Sequence, residues 1–437
     1  MTVLPIRTAA ETALVEEFAA AKARLPGGRE VAAGREAAFR RFEASGLPSR
    51  RVEEWKYTDL RTLMRDAKPL ASPPAARALQ PQAVGDALPG IAAAHHVAII
   101  NGVYARSDVG AADPNVTVTE LFAWLAANES FRLDQTVSEP IDLALALNSA
   151  FMSGGAVVHV KKGARIAGPI HLAYRFVGDA PAAMYPRTLV FVEPGAQVTL
   201  IETYDGSAGL DYQVNGALAL VVGDGAQVER VKIGDEGAAA LHISTVMASI
   251  GAKADYREFT FTTGGAVTRN QLFLRSVGDA AKIRIAGANL LKGRQHVDST
   301  LVIDHAARGC ESREVFKSVL DGESRSVFQG KIVVQPQAQK TDGRMMTQAL
   351  LLSDTAESDN KPELEIFADD VQCGHGATSG RLDENLLFYL KARGIPAKEA
   401  EALLIQAFVG EAIDGIAHEG MRELLNGRVV AWLEARQ

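Results

Sequence analysis

The chain has 437 residues, 47% hydrophobic and 23% charged, with a net charge of −7 and a pI near 5.8. That length exceeds one ordinary compact core, so two or three domains are expected unless the architecture is a repeat growing along one axis. The acidic balance argues against nucleic-acid binding, and no run approaches the ~20 apolar residues of a membrane span.

The opening MTVLPIRTAAETALVEEF has no apolar core of signal-peptide length, so a cytoplasmic protein is expected. Its two cysteines, Cys310 and Cys373, are then expected as thiols, and Cys310 reads as a small buried hydrophobe. Thr8 to Glu11 forms a capping-box pattern, and Leu14, Phe18, Ala21 and Leu25 follow at helical spacing until Pro26-Gly27-Gly28. A second helix fits Glu30 to Ala44, with Val31, Ala38, Phe39 and Phe42 on one side. SRRVEEWKYTDLRTL (49–63) sets Trp55 and Tyr57 among charges, either as a piece anchored by its aromatics or as a partner surface. Residues 67–94 are rich in Ala and Pro and read as a linker. His96 to Tyr104 is a strand with a turn at Asn101-Gly102, and the adjacent His95 and His96 face opposite ways, so they cannot chelate together. Val116 to Asn128 reads as strand then helix, and Asp142 to Met152 as a helix.

From Gly154 to about Gly380, period-2 alternation dominates, in runs such as Val157/His159, Val228/Arg230/Lys232, Phe259/Phe261, Ile283/Ile285 and Ile332/Val334. No helical pattern longer than two turns interrupts them, which excludes a doubly wound sheet. A glycine-small-x-apolar phrase recurs at Gly163, Gly195 and Gly225, and more loosely at Gly251 and Gly278, in steps of 32, 30, 26 and 27 residues. A β-solenoid explains a recurrent turn glycine followed by a strand. Val198, Val228, Phe259, Phe261, Ile283 and Ile285 are expected to supply inward positions. After Asp383 the chain is helical, with Leu386, Leu387 and Leu390, then Leu403, Leu404 and Phe408, then Met421, Leu425, Val429 and Trp432 on apolar sides. These readings give an N-terminal helical region (1–66), a linker (67–94), a small mixed α/β region (95–153), a solenoid core (154–382) and a C-terminal helical domain (383–437).

No phosphate-binding loop, dinucleotide fingerprint, G-x-S-x-G, H-E-x-x-H or C-x-x-C occurs, so no nucleotide is expected to bind and no enzyme class is indicated. Asp369 and Asp370 are adjacent, face opposite ways on a strand and do not make an acid/base pair. Cys373 and His375 are left. At i and i+2 of a strand both leave the same face, with Cα atoms roughly 6.6 Å apart. A thiolate and an imidazole suit iron, zinc or iron–sulfur chemistry, but a tetrahedral ion wants four donors. Spacing alone leaves both a metal-binding pair and a packed structural pair open.

DDVQCGHGATSGRLDENLLFYLKARGIP (369–396) and LLIQAFVGEAI (403–413) resemble the C-terminal signature of the SUF iron–sulfur cluster assembly proteins, and SRRVEEWKYTDLRTL is similar to the SufD branch of that family. The resemblance implies a right-handed parallel β-helix between N-terminal and C-terminal helical domains, the same mainly β architecture as the pattern reading. It implies a non-catalytic subunit in a complex with SufB and the SufC ATPase. Open strand edges at the solenoid's end add the expectation of pairing there with SufB, or with itself when alone, and the surplus apolar residues Leu403, Leu404, Phe408 and Ile413 add docking of SufC through the C-terminal helices. The resemblance also implies that His375, with Cys373 less firmly, ligates iron or a nascent iron–sulfur cluster completed by a cysteine of SufB. The other reading the resemblance leaves is a purely structural partner of SufB.

Overall fold

The computed structural model describes residues 7–74, 88–93, 95–109, 113–128, 142–207 and 209–436; half of the Ala/Pro-rich linker, 75–87 and 94, lies outside them. Its centre is a parallel β-solenoid built from two facing sheets. One sheet starts at the hairpin of β1 (His95–Ile100) and β2 (Val103–Val109), turning at Asn101-Gly102 with both φ angles positive, and ends at β20 (Gln372–Gly380). The other starts at β3 (Val116–Glu120) and ends at β19 (Glu357–Ile366). Each coil gives one strand to each sheet and stacks in register on the last, so Gln197, Gln227, Asp255, Lys282, Glu311, Asp342 and Gln372 are successive partners.

The recurrent phrase is the turn that enters the first sheet. Gly163, Gly195 and Gly225 adopt positive φ there, followed by the small Ala164, Ala196 and Ala226, which pack inward. The amide of each turn residue donates to the next coil's turn, for example Gly195 N to Asp224 O at 2.9 Å and Gly225 N to Ala252 O at 2.7 Å. In later coils the positive-φ residue is Lys253, Ala280, Gly309 and Lys340, not the expected Gly251 and Gly278. A single residue in this region is tolerated without glycine when the ladder holds it, so the glycine signal fades while the geometry persists. Cys310 occupies the small-residue position after Gly309. It is fully buried and its Sγ donates to Gly278 O at 3.4 Å, as the small-hydrophobe reading expected.

Both outer faces are also covered. On one, the second helix (Arg29–Ser45) and the Leu143–Phe151 helix pack with Trp55 and Leu60 against the sheet. Trp55 lies under the Arg269 guanidinium, 3.9 Å from its centre, and donates from Nε1 to Asp142 at 3.0 Å. Thr58 donates to Asp298, which also pairs with Arg269. The 49–63 segment is therefore an aromatic anchor on the solenoid wall. On the opposite outer face the helices Ala397–Ile413 and Glu419–Ala435 lie over Val231, Ile233, Phe259 and Phe261. Phe259 and Phe261 accordingly point outward and not inward, while their neighbours Tyr256 and Glu258 face the interior with Val198, Val228, Ile283 and Ile285. Alternation identifies two faces but not which is the lumen when both are apolar, the normal state of a parallel strand covered on both sides. Among the described residues, no helix is long and apolar enough to cross a membrane.

Candidate metal-ligand site at the open end of the solenoid

Two inward ladders run the length of the first sheet. One passes through Val198, Val228, Tyr256, Ile283, Ser312, Gly343 and ends at Cys373. The other passes through Leu200, Arg230, Glu258, Ile285, Glu314, Met345 and ends at His375. Both expected residues thus belong to the inward face of the last coil, as their i, i+2 spacing required. Among the described residues β20 pairs with β18 (Asp342–Leu351) alone, so its second edge carries backbone groups with no strand partner there. Among the described residues nothing stacks beyond the coil, and this separates the pair by depth: Cys373 is half-buried against the core, whereas His375 is exposed.

Electrostatics divides them as well. Burial pushes the Cys373 thiol up, a backbone hydrogen bond from Gly343 pulls it down, and Asp342 and Glu314 add weak upward contributions. The result is a protonated thiol at neutral pH, which needs a cation nearby before it can act as a thiolate. His375 is open to approach from the end of the solenoid. Its nearest histidines in sequence, His305 and His418, stand elsewhere: His305 is buried in the interior with Nε2 3.0 Å from Ser312 Oγ, and His418 caps the last helix. Among the described residues, no three His, Cys, Asp or Glu side chains form a ready metal site. The pair is two donors at an open edge.

One residue of this region escaped the sequence reading. Glu314, on β16 (Glu311–Leu320), lies directly behind Met345 on the ladder that ends at His375. Its signal is a carboxylate at an inward position of the Ser312/Glu314/Phe316 alternation. The pattern shows the anomaly, but pairing across coils, which sequence spacing does not give, reveals its neighbour.

Beyond the site, Asp383 caps the Glu384–Ala392 helix through Asn385 N at 2.8 Å and Leu386 N at 3.2 Å. Arg381, in the connection, pairs with Asp354. This helix has no buried residue and exposes Leu386, Phe388 and Tyr389, with Phe388 72% exposed. Ile413, expected among the surplus apolar residues of the C-terminal helices, is instead buried on the solenoid flank with Ile405 and Val409, and Phe408 is half-buried beneath Lys317. Among the described residues of the C-terminal helices, the exposed large apolar side chains are Leu386, Phe388 and Tyr389 with Leu403 and Val430.

Residues 175–408 match the family described as "SUF system FeS cluster assembly, SufBD core domain", and residues 11–172 match "SufBD protein N-terminal region". The chain is 31% identical over 395 residues to an iron–sulfur cluster assembly SufBD family protein of Synechocystis, covering 85% of this chain and 84% of that one. It is 28% identical over 390 residues to the iron–sulfur cluster assembly protein SufD of Escherichia coli, covering 88% and 89%. A chloroplastic protein of Arabidopsis thaliana is 28% identical over 346 residues, covering 76% and 72%.

Proposed function

The chain belongs to the SufBD family of iron–sulfur cluster assembly proteins, and from that premise we propose that it is the SufD-type scaffold subunit, lending His375 as a ligand to iron or a nascent cluster held between two chains. The pairing chain is a SufB-type subunit that joins the open edges of β19 and β20 and supplies the remaining donors. A SufC-type ATPase docks on the C-terminal helices and provides the nucleotide chemistry for which this chain has no motif. The complex works in the cytoplasm, and iron or the cluster is its cargo, not a resident cofactor.

The observation that carries this reading is the placement of His375: an exposed imidazole on the last inward rung, on a strand with one neighbour, beside a second donor. A two-donor site at an edge is labile, because separating the chains removes the partner's ligands, and lability suits a scaffold that must release its product. Cys373 packs against the core, which favours the lesser role for it and, taken alone, the reading of a purely structural partner. The two readings separate in complexes of verified stoichiometry carrying His375→Ala or Cys373→Ala, with iron and sulfide measured after assembly. We expect loss of cluster with His375→Ala and little loss with Cys373→Ala. Normal yield from both would leave the chain a structural partner of the SufB-type subunit.

A further inference from the structure

Among the described residues the solenoid ends on two strand edges, and they are not alike. In a parallel strand, alternate residues turn both N–H and C=O to the same side. On β19 the amide of Glu357 donates to Ser324 O at 3.0 Å, and that of Phe367, just past the strand, to Val334 O at 2.9 Å. The odd-numbered residues of β19 therefore serve β17 (Arg325–Val334), and Ser358, Asn360, Pro362, Leu364 and Ile366 face the open edge. Pro362, in the middle of that row, has no amide hydrogen to offer. On β20, Gln372 N donates to Thr341 O at 2.8 Å. Its even-numbered residues thus serve β18, and the edge belongs to Cys373, His375 and the alternate residues after them. None of these is a proline, so each presents a donor and an acceptor.

The side chains repeat the contrast. β19 carries Glu357, Asp359, Lys361, Glu363 and Glu365, a charge on every second residue. Charge and proline on an edge strand are the ordinary defences against strand addition. β20 has no Asp, Glu, Lys or Arg. A Cβ added at Gly374 or Gly380 would meet nothing within 4 Å, so the side chains of a neighbouring strand find that face clear.

We propose that the second chain is joined through the backbone of β20 alone, and that β19 is a blunted edge meeting the partner only by side chains. This rests on the reading of the chain as a subunit paired at its solenoid end, and it says which strand makes the joint. The occupant is an edge strand of the SufB-type subunit. The last coil leaves the end of the apolar interior uncovered, with Ile366 exposed and Leu364 and Val371 only partly buried against the core. A second solenoid set end to end covers that cross-section, as a lone peptide would not, and the matched core is described for SufB and SufD together. His375 itself faces the bonded edge. The partner strand therefore grips the backbone of the residue that bears the imidazole, and the donor is fixed only when the chains are joined.

Residue-resolved amide hydrogen exchange of the complex assembled with the SufB-type subunit tests this, because alternate amides of each strand bond inside the chain and serve as the reference. Cys373 and His375 should exchange as slowly as Gly374 and Gly376. Asn360 and Leu364, either side of Pro362, should exchange about ten-fold or more faster than Lys361 and Glu363. Equal protection of Asn360 and Leu364 with those neighbours would overturn the one-sided joint, as would fast exchange at Cys373 and His375. Pro362→Ala, which restores the missing donor, should leave the affinity of the pair within about two-fold. A larger strengthening would show a partner strand already lying along β19 and sink the proposal as well. A complex that does not form removes the paired-subunit reading and this joint with it. A complex that forms and loses its cluster with His375→Ala keeps that reading even where the exchange pattern overturns the joint.

Discussion

Burial holds His95, His171, His242, His296 and His305 below their ordinary value, and His171, His296 and His305 fall far below it. Burial depresses His171 to about 3, with nearby His96 adding to it, and burial depresses His296 and His305 to about 4. Below about 6.5 the unfolded chain takes up protons at these sites that the folded chain refuses, so stability falls with pH from 6.5 toward 4. Each such histidine is worth on the order of 3 kcal/mol at the acid end of that window. Glu314 works the other way: desolvation lifts it to about 8, so its folded state favours the acid from pH 4.5 up to 8. Three histidines outweigh one carboxyl, so urea midpoints should drop on acidification from pH 6.5 to 4.5. His171→Gln, which keeps a polar group for Thr203, should flatten that limb; an unchanged acid slope would show that His171 is not its source. The same residue scale explains how much of the site was legible. Cys373 and His375 share a face because they are two apart on one strand, a fact contained in nine letters of sequence. Glu314 shares the ladder of His375 through pairing across two coils, and no local pattern encodes that.

At the scale of elements, the turns show where local chemistry speaks and where stacking takes over. Gly163-Ala164, Gly195-Ala196 and Gly225-Ala226 announce the first coils, whereas Lys253-Ala254, Ala280-Ala281, Gly309-Cys310 and Lys340-Thr341 repeat the geometry without the phrase. The solenoid was legible because the early turns keep the favoured residue; the outward direction of Phe259 and Phe261 was not, because helices far along the chain cover that face. This packing also determines how the ATPase contact is to be tested. Deleting residues 396–437 would uncover Val231, Ile233, Phe259 and Phe261 and damage the solenoid itself. The Glu384–Ala392 helix has no buried residue, so a double Leu386→Asp, Phe388→Asp variant should melt like the parent. We expect it to lose capture of the SufC-type ATPase, since an apolar helix face is a recurrent way of docking into a partner's groove. Undiminished capture by a normally folded variant would remove this helix from the docking surface, and loss of the SufB-type subunit instead would assign it to the solenoid-end interface.

For the whole molecule, the decisive feature is that, among the described residues, no element caps the last coil of the solenoid. Among the described residues β19 and β20 each have one sheet neighbour and a row of backbone groups without a strand partner on the other edge, and such an edge is a template for another chain. The first end is treated differently, with β1 bounded by the antiparallel β2 and β4 (Ala156–Val160) by the antiparallel β3. Association should therefore run through the last coil, with the SufB-type subunit where present and with a second copy where it is not. In a parallel strand, alternate residues direct both backbone groups to opposite sides, so of Ala377 and Thr378 one serves β18 and the other the open edge. Proline removes the donor at either place. We expect the parent chain to sediment as a dimer at micromolar concentration. One of Ala377→Pro and Thr378→Pro should give a monomer with parental thermal stability, and the other a less stable chain. The pair carries its own control, because the two positions are neighbours on an exposed strand and differ chiefly in the direction of one amide. A parent that sediments as a monomer would remove self-pairing through this edge, and two variants that both remain dimeric would place it elsewhere; pairing with the SufB-type subunit is judged by the same two variants in the complex.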